Sequence, residues 1–145
     1  MDYRIGAVGR VIALRFDHGE DFLAGLREIV LKEKIASGWF QIIGALDHAR
    51  VVTGPKEPVV PPDPIWQTVD TVCEVVGTGS VHLDNGEPKI HLHAALGEHG
   101  ETLTVCVRRD SRVYLTLEVL LFELLDLKAS RPWDEQGGFS KLIFS

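Results

Sequence analysis

Three side chains of the kind that bind transition metals lie in one short segment, residues 88–109, "PKIHLHAALGEHGETLTVCVRR". His91 and His93 are one residue apart, and Cys106 follows His93 by thirteen positions. Imidazole and thiolate groups are ligands that Zn²⁺ prefers, and other first-row metals also accept them. This segment is therefore the first candidate for a functional site.

A β-hairpin brings these three side chains together. With residues 97–100, "GEHG", as the turn, Leu96 pairs with Glu101 and His91 with Cys106. Because side chains alternate along a strand, one hairpin face is wholly apolar and the other carries all three candidate ligands. Three protein ligands leave one coordination position open, which is typical of catalytic or ligand-binding zinc sites. The alternative is that both histidines are solvated and that Cys106 is a half-buried apolar residue.

A few other residues are candidates for chemistry. Glu118 and Glu74 are candidate acid/base groups beside a metal, and Glu118 is also a candidate hydrogen-bond partner of a histidine ligand. Arg15 is a candidate anion-binding residue, and we favour the alternative of a structural ion pair. The glycine-containing stretches "GAVGR" and "GTGS" lack the phosphate-loop pattern, and there is no G-x-S-x-G motif.

The elements that must position these residues are mostly strands. Residues 5–16 are apolar on both faces, which predicts a strand buried on two sides. Residues 39–46 predict a central strand, and residues 66–83 predict one or two strands broken near Gly77 and Gly79. Five of the seven prolines lie in residues 53–64, which predicts an irregular excursion.

One helix interrupts the strands. Apolar residues recur at helical spacing from Phe22 to Val30, and Asp17 and Glu20 stand in capping-box spacing before them. Gly38 is suited to ending this helix. Many strands with one or two helices predict an α+β fold with a largely antiparallel or mixed sheet.

Length and composition limit the class of protein. A chain of 145 residues with 45% apolar and 25% charged residues is the size and type of one globular domain, residues 1–145. There is no membrane-length apolar run and no signal-peptide stretch, so we expect a cytoplasmic protein with two free thiols and no membrane association. The net charge is −6 and the basic residues are scattered along the chain, which disfavours direct nucleic-acid binding.

Four stretches carry a resemblance to a known family. In order they are "LRFDHGEDF", "IASGWFQIIGAL", "VCEVVGTGSVHLDNGEPKIHLHAALGEHG" and "RPWDEQGGFSKLIF". Together they resemble the PPC domain (plant and prokaryote conserved domain), a domain of unknown function that stands alone in prokaryotes and follows AT-hooks in plant nuclear proteins. In that family a third histidine stands where Cys106 stands here, so the resemblance implies a metal site with one ligand type exchanged.

The resemblance also implies an architecture and an assembly. We expect a sandwich-like domain with its antiparallel sheet flanked by helices, assembled as a homotrimer with sites near the subunit boundaries. The first functional hypothesis is a zinc-binding homotrimeric module that binds a small molecule or a protein. The alternative is a metal-dependent enzyme that uses metal-activated water. A third hypothesis is association with DNA through a partner, because the AT-hook core is absent.

Overall fold

The computed structural model describes all 145 residues. It contains one helix, α1 (Phe22–Lys32), and ten strands: β1 (Ala7–Asp17), β2 (Ser37–Pro55), β3 (Pro64–Val69), β4 (Cys73–Asp84), β5 (Glu87–Glu98), β6 (Glu101–Leu125), β7 (Ala129–Ser130), β8 (Trp133–Asp134), β9 (Phe139–Ser140) and β10 (Ile143–Phe144). The fold is mostly β with a single short helix. The expectation of an α+β fold with flanking helices is corrected, because the helical period occurs only once in the sequence.

Six strands form an antiparallel sheet that curls until it closes. The strand order is β1-β6-β5-β4-β2-β3, and β2 also pairs with β6. The two strands are long, 19 residues for β2 and 25 for β6, and their pairing is interrupted by several register irregularities. Such bulges bend a strand and increase its twist. Bending lets β2 and β6 meet, so that β6, β5, β4 and β2 form a ring with an inner and an outer face.

The inner face and α1 share one hydrophobic core of 24 buried residues. The helix contributes Phe22, Leu23, Leu26 and Val30, all of them almost fully buried. A Cβ atom on Gly79 of β4 would lie 2.5 Å from the ring of Phe40. Gly79 is therefore required by packing inside β4, and it does not break the strand as the sequence predicted.

The helix boundaries differ from the predicted ones. Asp17 and Glu20 do interact, since the Asp17 amide donates to Glu20 Oε2 at 2.7 Å, but this bond closes a turn before the helix. The N-cap is Asp21, whose carboxylate accepts from the Ala24 amide at 2.9 Å. The helix ends at Lys32, and Gly38 belongs to β2.

The two edges of the sheet also depart from expectation in part. β1 pairs only with β6 and its outward-facing residues are exposed, so the prediction that it is buried on two sides is wrong for the single chain. The proline-rich excursion is confirmed as the irregular connection between β2 and β3.

The one helix, 11 residues long, does not have the length and hydropathy needed to cross a membrane.

Candidate metal centre

A tight turn sets the register of the hairpin that carries the three candidate ligands. His99 and Gly100 both have positive φ, 49° and 91°, as in the two-residue turns that join antiparallel strands. Glu98 therefore pairs with Glu101, and His93 pairs with Cys106. The predicted turn was two residues too long, so the predicted partner of Cys106, His91, was wrong. The shift is an even number of residues, and the assignment of side chains to faces is unchanged.

The structure brings His91, His93 and Cys106 together on the outer face. Their metal-binding atoms all lie within 4.8 Å of one another. The Nε2 atoms of the two histidines are 3.0 Å apart, and their rings meet edge to face with centroids 4.8 Å apart. His93 reaches Cys106 across the strand pair, and His91 reaches both because it is two residues away on the same face.

Burial keeps two of these groups neutral. Cys106 is only 6% exposed, and burial raises the pKa of its thiol. Burial, and then the positive charges of Arg131, His93 and Arg108, lowers the pKa of His91 to about 4. His91 is therefore an unprotonated imidazole at neutral pH, ready to bind a cation, whereas Cys106 must release a proton to do so.

The donor set fits a tetrahedral zinc ion. Bonds of about 2.0–2.3 Å place neighbouring ligands of such an ion about 3.3 to 3.8 Å apart. The separations here bracket that range, from 3.0 Å between the histidine nitrogens to an upper limit of 4.8 Å. His93 is exposed, and a small rotation of its side chain is enough for an adjustment of about an ångström.

The three donors lie between two cavities. One, of about 350 Å³, is lined by His93, Cys106 and residues of the proline-rich excursion. The other, of about 550 Å³, is lined by His91 and by several arginines. Arg108 lines both. A ligand in the first cavity would contact His93 and Cys106, and a ligand in the second would contact His91.

One residue of this site was missed from the sequence. After β6 the chain folds back over β4, and Arg131 donates through Nη2 to Ser80 Oγ at 3.0 Å and through Nη1 to the Ser140 carbonyl at 3.2 Å. Ser80 pairs with His91 in the sheet, which brings Arg131 to the metal-ligand cluster. The stretch "RPWDEQGGF" carried part of the family resemblance, but only the long-range fold shows where its arginine lies.

The other candidate residues are not brought to the cluster within one chain. Glu118 lies on β6 opposite Arg15 and Ile43. This row of paired residues reaches β5 at Ala95, about 14 Å along the sheet from Glu118, and His93 lies two residues further along β5. Glu74 is four residues along β4 from the partner of His93, about 13 Å away. Arg15 makes an exposed ion pair with Asp17 at 2.9 Å.

Sequence comparison identifies the family to which the chain belongs. Residues 3–125 match the Plants and Prokaryotes Conserved (PCC) domain. The chain belongs to this family, which confirms the resemblance seen in the sequence. Among curated proteins, none matches the chain significantly in sequence.

Solved structures of similar fold extend over the whole chain. A metal-containing protein from Archaeoglobus fulgidus superposes with a TM-score of 0.86 at 24% identity, covering 99% of both chains. A plant- and prokaryote-conserved protein from Pyrococcus horikoshii gives 0.80 at 21% identity, covering 99% of this chain and 100% of that one. A putative DNA-binding protein from Bacteroides thetaiotaomicron gives 0.77 at 17% identity, covering 97% and 99%. At these identities the likeness establishes the fold alone.

Proposed function

We propose that the protein is a zinc-binding module in which His91, His93 and Cys106 hold the ion and leave one coordination position for a ligand. The observation that carries the proposal is the convergence of three nitrogen and sulfur donors within 4.8 Å. The similarity to a metal-containing archaeal protein supports it. Zinc bound here would supply a Lewis-acidic centre to whatever occupies the adjoining cavities.

Each residue has a distinct part in holding the ion. Cys106 provides a thiolate, whose negative charge offsets that of the cation in a buried position. His91 binds as a neutral imidazole, because its pKa is lowered to about 4 by burial and by nearby positive charge. The exposed His93 completes the triad from the solvent side.

A ligand-binding role fits the site better than a closed structural one. No fourth His, Cys, Asp or Glu belongs to the cluster, whereas structural zinc sites take four protein ligands. The cavities of about 350 and 550 Å³ flank the donors and are in the size range of small-molecule sites. The alternative of an enzyme has no such support within one chain, because Glu118 and Glu74 lie away from the cluster.

We also propose that the protein assembles as a homotrimer through its outer sheet face. Large apolar side chains are exposed there, each at 39% or more: Val11, Trp39, Ile43, Val76 and Leu120. Sheet pairing makes them neighbours, since Trp39 and Val11 both flank Phe122 and Ile43 pairs with Val76. Exposed apolar patches of this kind mark protein interfaces. The row that contains His93 crosses the same face, so the metal site would border the interface.

Cobalt substitution tests the donor set and the open position together. Tetrahedral Co²⁺ bound to a thiolate absorbs in the visible and has a sulfur-to-metal charge-transfer band in the near ultraviolet. We expect both in the Co²⁺-loaded protein, and we expect azide to shift the visible bands by entering the free position.

The matched variants use the two buried cysteines. Cys106→Ser should abolish the charge-transfer band, and Cys73→Ser should keep it, because Cys73 lies outside the cluster. Retention of the band in Cys106→Ser would contradict the donor set. Visible bands that azide does not change would contradict the open position.

A further inference from the structure

The larger cavity beside the metal ligands is strongly basic. Five basic residues line it against a single acidic one: Arg27, Lys89, Arg108, Arg109 and Arg131, with Glu87. The chain as a whole carries a net charge of −6. These residues come from α1, β5, β6 and the segment after β6, so they are scattered in the sequence and gathered only by the fold.

None of the five basic side chains has a carboxylate partner. The eight ion pairs of the structure involve other basic residues. Arg131 hydrogen-bonds only a hydroxyl and a carbonyl, and its Nε is buried without a hydrogen-bond partner. Like charges lining one cavity repel each other, and a part-buried charge without a counter-ion costs free energy. A bound anion would remove both costs.

Aromatic contacts hold part of this cluster without using its hydrogen-bond donors. The Arg109 guanidinium lies 5.1 Å from the centroid of the Trp66 ring, and Arg50 lies 5.5 Å from the same centroid. A guanidinium stacked in this way keeps its N–H groups free for a ligand. The fork of N–H donors matches the oxygen atoms of a phosphate group.

We propose that this basic cleft binds a small organic phosphate, with the phosphate group held by Arg108, Arg109 and Arg131 next to the metal ligand His91. The cavity volume of about 550 Å³ suits a ligand of metabolite size. This inference deepens the proposed ligand-binding function, since it names the chemical class of the ligand. Nucleic acid is not the expected partner, because the rest of the chain is acidic and does not provide an extended basic track.

The test measures binding of AMP and of inorganic phosphate to the full-length protein by calorimetry at low ionic strength. We expect AMP to bind, phosphate to compete with it, and added salt to weaken it. Adenosine, which has the same base and sugar without the phosphate, should not bind measurably. Equal binding of adenosine and AMP, or no binding of AMP, would overturn the proposal, and so would tighter binding of a single-stranded oligonucleotide.

Two charge-removing variants and one control locate the site. Arg108→Gln and Arg131→Gln should each weaken AMP binding about tenfold or more, the loss typical of a charged hydrogen bond. Arg108 is exposed, and the side chain it hydrogen-bonds is that of Cys106, so its loss should leave the fold intact. Lys32→Gln on the exposed side of α1 removes the same charge away from the cleft and should have no effect. An equal loss in all three variants would mean that the binding is non-specific.

The same variants separate this inference from the metal proposal. Arg108→Gln should keep its metal, because the three donors are unchanged. Conversely, AMP binding that persists in His93→Ala would show that the basic cleft works without the ion. If the protein holds no metal and AMP still binds through the arginines, the proposed metal site fails and this inference stands.

Discussion

At the scale of single residues, burial sets the protonation of the groups near the site. His91 and Cys106 are both driven toward their neutral forms, the histidine by a pKa of about 4 and the cysteine by a raised pKa. Of these two groups, only the cysteine holds a proton that a metal ion must displace at neutral pH. His82, on the same outer face, is affected in the same way. It is 3% exposed and its Nδ1 lies 3.0 Å from Ser37 Oγ.

His82 should make the fold sensitive to acid. Burial, and then the charge of Arg131, lowers its pKa from 6.5 to about 4. On acidification the unfolded chain therefore binds the proton at a higher pH than the folded chain does. The contribution of the neutral His82 side chain to stability is complete above pH 6.5 and is lost as the pH falls toward 4. A shift of this size corresponds to about 3 kcal/mol of stability.

Denaturant unfolding at the two ends of this pH range measures the effect. On acidification, the free energy of unfolding of the metal-free protein should fall by about 3 kcal/mol less in His82→Gln than in the wild type, because the glutamine side chain cannot be protonated. His99→Gln is the control, because that side chain is 91% exposed at the hairpin tip. An identical acid dependence in His82→Gln and the wild type would show that His82 is not responsible.

At the scale of elements, the sequence predicted which side chains share a face of a strand better than it predicted where strands and turns begin and end. Alternation placed His91, His93 and Cys106 on one face of a hairpin, because side-chain period is a local property. The register depended on whether Gly97 or His99 begins the turn. The backbone conformation at the turn decides this, and the alternation of polar and apolar residues does not predict that conformation. Gly38 and Gly79 look like breaks in the sequence, whereas in the fold each lies in a strand and leaves room for a packed neighbour.

The element arrangement that the sequence did not predict depends on long-range pairing. The closure of the sheet requires β2 to pair with β4 on one side and β6 on the other, and nothing local specifies that both pairs form. Long-range packing likewise gathers the basic cleft from four separate parts of the chain. The basic residues are scattered along the sequence, and only the fold shows that five of them line one cleft.

At the scale of the whole molecule, the single chain leaves a large apolar area uncovered. Val76 and Ile43 pair across β4 and β2 and are 60% and 56% exposed. A monomer that exposed this apolar face would be less soluble. In the proposed trimer, burial between subunits would remove this area from water, which is the main driving force of such assembly.

Charge substitution on this face tests the trimer. Sedimentation analysis should give the mass of three chains for the wild type and of one chain for Val76→Glu, because a carboxylate buried in an apolar interface is strongly unfavourable. Leu31→Glu on α1 is the control, since Leu31 is 50% exposed on a different element. A monomeric wild type, or a Val76→Glu variant of unchanged mass, would contradict the proposed interface.

Elemental analysis of the purified protein and of its histidine and cysteine variants tests the proposed zinc site most directly. We expect about one zinc ion per chain in the wild type and in His99→Ala, and none in His93→Ala or Cys106→Ala. A wild-type protein that neither contains nor takes up a transition metal would contradict it. So would a stoichiometric ion in both His93→Ala and Cys106→Ala, since these residues provide two of the three converging donors.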